Sequence, residues 1–458
     1  MAYRFGLRAH VLRIAVCAGL ALTPILAQAQ TDVSINEAQL LAYGLVNRGQ
    51  PAAALELIAT LQSQGRNQTT AFFIIKSQAE RQLGAYSAAI ESGKRAFQLA
   101  ESDVEHYLAA RVTAQAFSAS ERRTRGQFWL RRASQFAPNE GAYANNRKDF
   151  EYVRSRNPLS FSLDLGITPS NNLNNAPTTN TIEFAGLILA DPTLLPISGL
   201  GFTGSGELSY RLPATENRQS EVTIGYDARR VRLGSEASVI NPTLQSSDLA
   251  SDRITLGWST RHRLQDANAI LSTNIDLFAD WYGGSHLQNS ARARLSYALQ
   301  ISPSDSLSLG ATVTDATRQD NALRSYTTWE ASAGWSTRFE NGGQFNVQVN
   351  VSDTNSASFA IARGTIGVQV TYALPNPVAG LELSVSSLYQ ATEYDVPLYS
   401  PDVREDQKYA AFLTAAASSL EYFGFVPVLE IGRTRNISNV SRFDTDETSL
   451  SVSFRSSF

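Results

Sequence analysis

The sequence predicts an α + β chain of two domains, a block of helical repeats followed by a transmembrane antiparallel β-barrel of about 14 strands. Three observations predict it. From about Ser34 to Arg156 apolar residues recur three and four apart. At Pro158 the period changes abruptly to two and keeps that habit to the end. The chain also opens on an export segment, after which no apolar run approaches the roughly 18 to 20 residues that a spanning helix needs.

The export segment sets the compartment. Arg4, Arg8 and Arg13 form a positive start, and residues 14–22 a short apolar run. Ala27-Gln28-Ala29 then supplies the small residues of a signal-peptidase site. Residues 1–29 therefore read as a signal peptide, with the mature chain beginning near Gln30. Cys17 is a poor lipidation site, because Val16 stands where a small residue is wanted and cleavage there would split the apolar core. Loss of this sole cysteine leaves no disulfide and no thiol chemistry. At 458 residues and 43% hydrophobic content the chain can fill two or three domains, and its net charge of −3 lacks the basic excess of a nucleic-acid binder.

Within 30–156, seven stretches read as amphipathic helices: 35–46, 52–61, 70–83, 87–99, 104–117, 126–136 and 142–153. Gly49 followed by Ala54 recurs as Gly84 followed by Ala89, and Gly126 with Ala133 and Pro138 continues at a spacing of about 35 residues. This resembles the tetratricopeptide repeat, whose small residues let paired helices pack closely and whose proline ends the second helix. An ordinary helical domain is the alternative. Either way the block is a scaffold without a catalytic constellation, and repeat scaffolds most often bind protein segments on a concave face.

From 157 to 458 the alternation has one apolar and one polar face. Leu159, Phe161, Leu163, Leu165 and Ile167 alternate with Ser160, Ser162, Asp164 and Gly166. Runs of this kind place strands at 159–167, 202–212, 220–231, 252–262, 269–281, 290–301 and 305–315. They continue at 327–339, 343–353, 362–374, 379–391, 407–419, 424–434 and 446–458. Each is about ten residues, enough for a tilted strand to cross the hydrocarbon. Connections at 168–201 and 232–251 are long, whereas those at 213–219, 263–268, 302–304, 340–342 and 375–378 are short. Long outer loops alternating to the end with short periplasmic turns would put the helices and the C-terminus in the periplasm.

Leu450, Val452, Phe454 and Phe458 alternate up to a terminal phenylalanine, the pattern that the barrel-assembly machinery of the outer membrane reads. Trp258, Trp281, Tyr282, Trp329, Tyr372, Tyr389 and Tyr409 lie near strand ends, as interfacial girdles require where a barrel meets lipid.

No enzyme chemistry stands out. His106, His262 and His286 lie at no metal-ligand spacing, and neither a metal nor a cofactor is expected. The glycine-rich run 199–204 fits GxGxxG but leads into a strand, with no helix to carry a phosphate. What remains distinctive is the polar phase. Asp227, Arg229, Arg253, Arg261, Asp276, Asp280, Arg292, Arg294, Glu330, Arg338, Glu382, Glu430 and Arg433 are assigned to it and would give a lumen of mixed sign. Such charges can pair and merely solvate a water-filled interior, or line a conduit for a client. Mixed sign argues against a strongly ion-selective porin.

The junction carries a more specific likeness. Residues 157–176, NPLSFSLDLGITPSNNLNNA, resemble the start of the barrel in the Slam family, the surface lipoprotein assembly modulators. There the first strand runs into a Pro/Ser-Asn-x-Asn-Asn-Ala segment, and Asn171, Asn172, Asn174 and Asn175 are the matching positions. The resemblance implies a periplasmic tetratricopeptide domain joined to a fourteen-stranded outer-membrane barrel. It also implies client proteins, either surface lipoproteins or secreted haem and metal-binding proteins, received by the repeats and the lumen, with the barrel-assembly complex as a further partner. This repeat block is shorter and richer in alanine than the family's. Clustered Asn after a strand can also simply cap turns. Two other readings stay open: polysaccharide export coupled to periplasmic repeats, and a passive outer-membrane channel.

Overall fold

The computed structural model describes residues 34–65, 69–184, 187–265, 268–397 and 402–456. The signal segment and Phe458 lie outside the described residues.

Seven helices come first: α1 (Ile35–Asn47), α2 (Pro51–Ser63), α3 (Thr70–Gln82), α4 (Tyr86–Leu99), α5 (Asp103–Ala119), α6 (Arg123–Ser134) and α7 (Glu140–Arg156). Their starts are written in the sequence. Ser34 with Glu37, and Ser102 with Glu105, form reciprocal capping boxes. Alanine dominates the buried faces, with Ala54, Ala89, Ala110 and Ala133 fully enclosed. Small side chains let neighbouring helices approach closely, and two clusters fill the interior. One centres on Phe72 and Ile58, the other on Phe97, Phe117 and Trp129.

The repeat phase differs from the expected one. Gly49 and Gly84 close the first helix of two successive pairs in left-handed geometry, φ 72° and 76°, with Gln50 N donating to Leu45 O and Ala85 N to Glu80 O. The third such turn falls on Glu121, φ 63°, where Arg122 N donates to Phe117 O. Gly126 instead matches Ala54 and Ala89, five residues beyond the turn. A Cβ there would sit 3.3 Å from Ala114 O, so the glycine lets α6 lie close on α5.

Fourteen strands then close an antiparallel barrel. They are β1 (Leu159–Ser170), β4 (Gly199–Arg211), β5 (Arg218–Leu233), β6 (Ser251–Leu264), β7 (Ala269–Tyr282), β8 (Ser285–Gln300) and β9 (Asp305–Arg318), followed by β10 (Tyr326–Arg338), β11 (Gln344–Ser356), β12 (Arg363–Ala373), β13 (Glu382–Tyr394), β14 (Glu405–Ala416), β15 (Phe425–Ser438) and β16 (Thr445–Ser456). A small hairpin, β2 (Thr181–Phe184) and β3 (Leu187–Ala190), sits in the first loop. Pairing of β1 with β16, for example Ile167 with Val452, completes the ring, and closure removes the edges that an open sheet would leave unpaired.

The outer face is apolar along every strand. Leu165, Ile254, Leu277, Leu309, Trp329, Val351, Ile366, Leu413, Ile431 and Val452 all stand exposed on it. A surface so large and apolar belongs against lipid rather than water. The chain is thus an outer-membrane type of β-barrel. Tyr282 is a correction to the expected girdles. It neighbours Trp281, so the two cannot share a face, and Tyr282 lines an interior cavity instead.

The helices and the end of β16 share one rim. The connections on that helix-side rim are 212–217, 265–268, 301–304, 339–343, 374–381 and 417–424. The opposite, loop-side rim carries 171–198, 234–250, 319–325, 357–362, 395–404 and 439–444. The expected alternation of long and short fails where the helix-side connections 374–381 and 417–424 are longer than the loop-side 357–362 and 439–444, and most plainly where β7 and β8 are joined on the loop side by Gly283-Gly284 alone. With φ of 57° and 78° these two form the tight turn that suits the twist of a hairpin, and glycine takes it without strain. On the helix side, Ala379-Gly380 and Phe423-Gly424 make equivalent tight turns with both residues at positive φ. Their hairpin tips project beyond the barrel wall, which is why β13 begins at Glu382 rather than near 379.

Candidate functional site in the lumen

Period two fixes which face a residue takes, and register fixes which residues meet. Register aligns Asp164, Ser205, Asp227, Arg253, Asp280, Gln288 and Arg318 side by side across β1 and β4 to β9, with Arg455 of β16 beside Asp164. All are on the inner face. The row begins near the helix-side end of β16 and reaches the loop-side end of β9, because the strands run oblique to the barrel axis.

Charges along this wall are paired. Arg253 Nε donates to Asp280 Oδ1 at 2.5 Å, and Gln288 Nε2 donates to Asp280 Oδ2 at 2.9 Å. Four residues along the strand, Arg292 grips Asp276 Oδ2 at 2.8 Å. Phe278 lies between these pairs on the same face, with the Arg253 and Arg292 guanidinium groups 5.1 and 4.8 Å from its ring centroid, within cation–π range. Arg294 donates to Thr312 Oγ1 at 3.4 Å, and Thr312 is paired in turn with Glu330. Arg338 faces a cavity near the helix-side rim, and Glu382 accepts from Ser418 Oγ at 2.8 Å. On the wall formed by β10 to β13 the charges Glu330, Arg338, Arg363 and Glu382 are interspersed with neutral amides and hydroxyls, Ser332, Asn346, Gln348, Asn350, Gln369 and Gln390.

Arg433 does not belong to the lumen. It lies three residues from Glu430, so alternation sends the two to opposite faces. Glu430 takes the inner one, accepting from Thr414 Oγ1, while Arg433 bridges Asp446 at 2.8 Å on the outer face. Tyr226, Arg230 and Asp252 form a second outer cluster, also toward the loop-side rim.

The asparagine run fastens the first loop inside the mouth. Asn171 Oδ1 accepts from Thr448 N at 3.1 Å. Asn172, 3% exposed, donates to Ala176 O and accepts from Ala176 N. Asn174 clamps the returning strand, donating to Leu195 O and accepting from Ile197 N, both at 3.0 Å. Asn175 makes the turn at φ 50°, a conformation that asparagine tolerates better than most residues. Leu173 packs on Val231 and Leu249 against the β5 wall, and Arg229 donates to its carbonyl. Asn175, two residues on, lines a cavity whose other walls are β12 to β16. Two cavities of about 610 and 570 Å³ thus open along the lumen, the first against β1 and β4 to β8, the second bordered by Asn175 of this loop. Gly199 makes this fit possible: a Cβ would sit 2.2 Å from Arg232 O and 2.7 Å from Leu173 Cδ1.

Leu450, Val452 and Phe454 lie on the outer face of β16, across from Ile431, Leu429 and Leu165 among others.

The sequence reading missed the basic lining of the second cavity, Arg363, Arg404 and Lys408, although all three come from strands with clear alternation or their ends. It also missed the contacts that seat the helices on the barrel. At the junction, Arg211 donates to Arg154 O at 2.8 Å and Asn157 O at 2.6 Å, finishing the last turn of α7. The Asn157 side chain donates to Thr124 Oγ1 and Gln127 Oε1. Across the rim, the Tyr143 hydroxyl donates to Glu421 Oε2, and Phe128 meets Phe423 with ring centroids 5.6 Å apart.

No family model matches the chain, and no curated protein sequence matches it. Solved structures to which it is similar include an outer membrane channel of Pseudomonas putida F1, 12% identical over 64% of this chain and 94% of that one, TM-score 0.32. Another is the outer membrane channel DcaP of Acinetobacter baumannii, 12% identical over 65% and 96%, TM-score 0.38. A third is a bacterial polysaccharide outer membrane secretin, 8% identical over 65% and 98%, TM-score 0.33. Likeness at this level carries no functional information to this chain.

Proposed function

We propose that this protein passes client proteins across the outer membrane, with the helices on the periplasmic side receiving a surface lipoprotein or a secreted haem or metal-binding protein and delivering it to the barrel. The observation that carries this reading is the seating of the helical block at two points on one rim of a polar-lined barrel: the Arg211–Asn157 junction and the Tyr143–Glu421 and Phe128–Phe423 contacts. A scaffold held there suits the capture of a client at the rim of the lumen. The resemblance of residues 157–176 to Slam proteins supplies the client class, and paired helices suit a tetratricopeptide scaffold. Outward charge clusters on the loop-side half, Arg230 with Asp252 and Arg433 with Asp446, suit a rim among charged lipid headgroups.

The reading is tested by deleting the chain from its host and labelling intact cells with a membrane-impermeant reagent. One or more lipoproteins should leave the surface while the total lipoprotein pool is unchanged, and the full chain should restore them. An unaltered set of surface and secreted proteins, together with steady conductance of the purified chain in planar bilayers, would instead make it a passive channel.

A further inference from the structure

The two lumen cavities carry opposite charge. The one against β12 to β16 is lined by four cations, Arg363, Arg404, Lys408 and Arg442, and two carboxylates, Asp406 and Glu447. Both carboxylates are engaged. Arg404 holds Asp406 through two bonds, Nε to Oδ1 at 2.9 Å, while its guanidinium lies over the Tyr394 and Phe443 rings at 4.3 and 3.2 Å. Ser170 Oγ donates to Glu447 Oε1 at 2.5 Å. Arg442 also acts on Asp191 beyond this lining, so the remaining three cations face two carboxylates, one positive charge in excess. Lys408 is the only lysine of the barrel, half-buried and in no salt bridge among the described residues. Amides of Asn175, Gln390 and Asn436 offer further donors.

The facing cavity has the reverse balance. Asp164, Asp227 and Asp280 stand against Arg229 and Arg253, and Asp164 Oδ1 is buried with no hydrogen-bond partner among the described residues. Overall composition averages these signs away, whereas the two walls of the barrel keep them apart. A recess with low-dielectric walls and uncompensated cations concentrates anions, and guanidinium and ammonium donors bind carboxylate and phosphate oxygens through charge-assisted bonds.

We propose that the cavity beside Lys408 is an anion-binding subsite of the lumen, taking a carboxylate or phosphate group between Lys408 and Arg363. It does not depend on the client reading, since either a solute or an acidic stretch of polypeptide could supply that group.

The test is calorimetric titration of the full chain in detergent micelles at low salt with three probes: citrate, inorganic phosphate and a glutamate-rich peptide. Binding of at least one probe is expected, weakened by added salt. Lys408→Gln and Arg363→Gln should each reduce its affinity about tenfold, while Lys408→Arg should retain it and Lys94→Gln on the helices should leave it unchanged. Each variant is checked for folded, heat-modifiable mobility on gels, and Lys408→Arg preserves the comparison if a neutral variant fails to fold. Binding of the small anions identifies a solute subsite, and binding of the peptide alone identifies an acidic chain. Absence of binding to all three, or equal affinity in folded Lys408→Gln and wild type, would overturn the proposal.

Discussion

The Tyr143 hydroxyl on α7 donates to the Glu421 carboxylate in the turn between β14 and β15, joining residues far apart in sequence at the helix-side rim. Phe423 in the same turn holds φ at 54°, an unusual conformation for a bulky side chain, and there its ring meets Phe128. Magnitudes rank the two attachments. Hydrogen bonds involving a charged group net about 1.5–3 kcal/mol each: the junction has two from Arg211 on a continuous chain, the turn one from Tyr143 to Glu421 and an aromatic pair that adds about 0.5–1.5 kcal/mol. The turn contact should release first. A nitroxide pair at Gln98→Cys and Glu340→Cys should show a broadened distance distribution in the Phe423→Ala, Tyr143→Phe double variant. An unchanged distribution would mean that the junction alone orients the helices.

The same contact has a pH signature. Burial first, and then the hydrogen bond to Glu421, push the Tyr143 phenol up to about 12. A group raised in the folded state stabilises it fully below its ordinary value near 10, and that contribution is lost as pH rises through about 12. The helices should remain seated to about pH 10 and loosen above it, whereas Tyr143→Phe should remove this dependence. The nitroxide pair followed against pH reads both.

Glu80 gives the opposite lesson within the helices. Burial raises its carboxyl above the ordinary 4.5, outweighing the Ser92 hydroxyl that donates to it at 2.7 Å and Lys76 at 3.8 Å. Its stabilising share is therefore complete below pH 4.5 and lost as pH rises through the folded value. Glu80→Gln keeps an acceptor for Ser92 without the charge, so it should raise the helical melting temperature by about 2 °C at pH 7. The advantage should vanish near pH 4. Circular dichroism at 222 nm at the two pH values decides it.

Asn174 should govern the first loop. Replacing it by alanine removes two bonds to Leu195 and Ile197, a loss of about 1–2 kcal/mol. Cleavage within 171–198 by a dilute protease should quicken about tenfold with the barrel intact. An unchanged rate would show that Leu173 and Asn171 hold the loop without it.

Arg253→Gln should leave Asp280, 7% exposed, with only Gln288, at a cost of about 2 kcal/mol. A lower denaturant midpoint for barrel unfolding measures this. Arg253→Leu combined with Asp280→Leu should recover part of the loss.

Much of the architecture was legible because two periods dictate it. Apolar spacing of 3.6 and of 2, with Ser34, Ser102 and Asn139 as caps, locates the seven helices and fourteen strands to within a few residues. What a single strand cannot reveal is its offset against the next. Arg253 meets Asp280, and Arg292 meets Asp276, only because the barrel's stagger sets that register. Glu121 concealed the third repeat turn, since the left-handed conformation usually marked by glycine is held there by backbone hydrogen bonds together with an ion pair from Glu121 to Arg123. Arg433 was misplaced for a simpler reason: residues three apart on a strand face opposite ways. The loop-side basic cavity was hidden because Asn175 and Lys408, its two sides, lie more than half the barrel apart in sequence.

The oblique row from Arg455 to Arg318 has a mechanical consequence. Its steps climb the wall while turning around the bore, like the thread of a screw. A charged group handed along these side chains cannot travel straight: it must rotate about the axis as it advances.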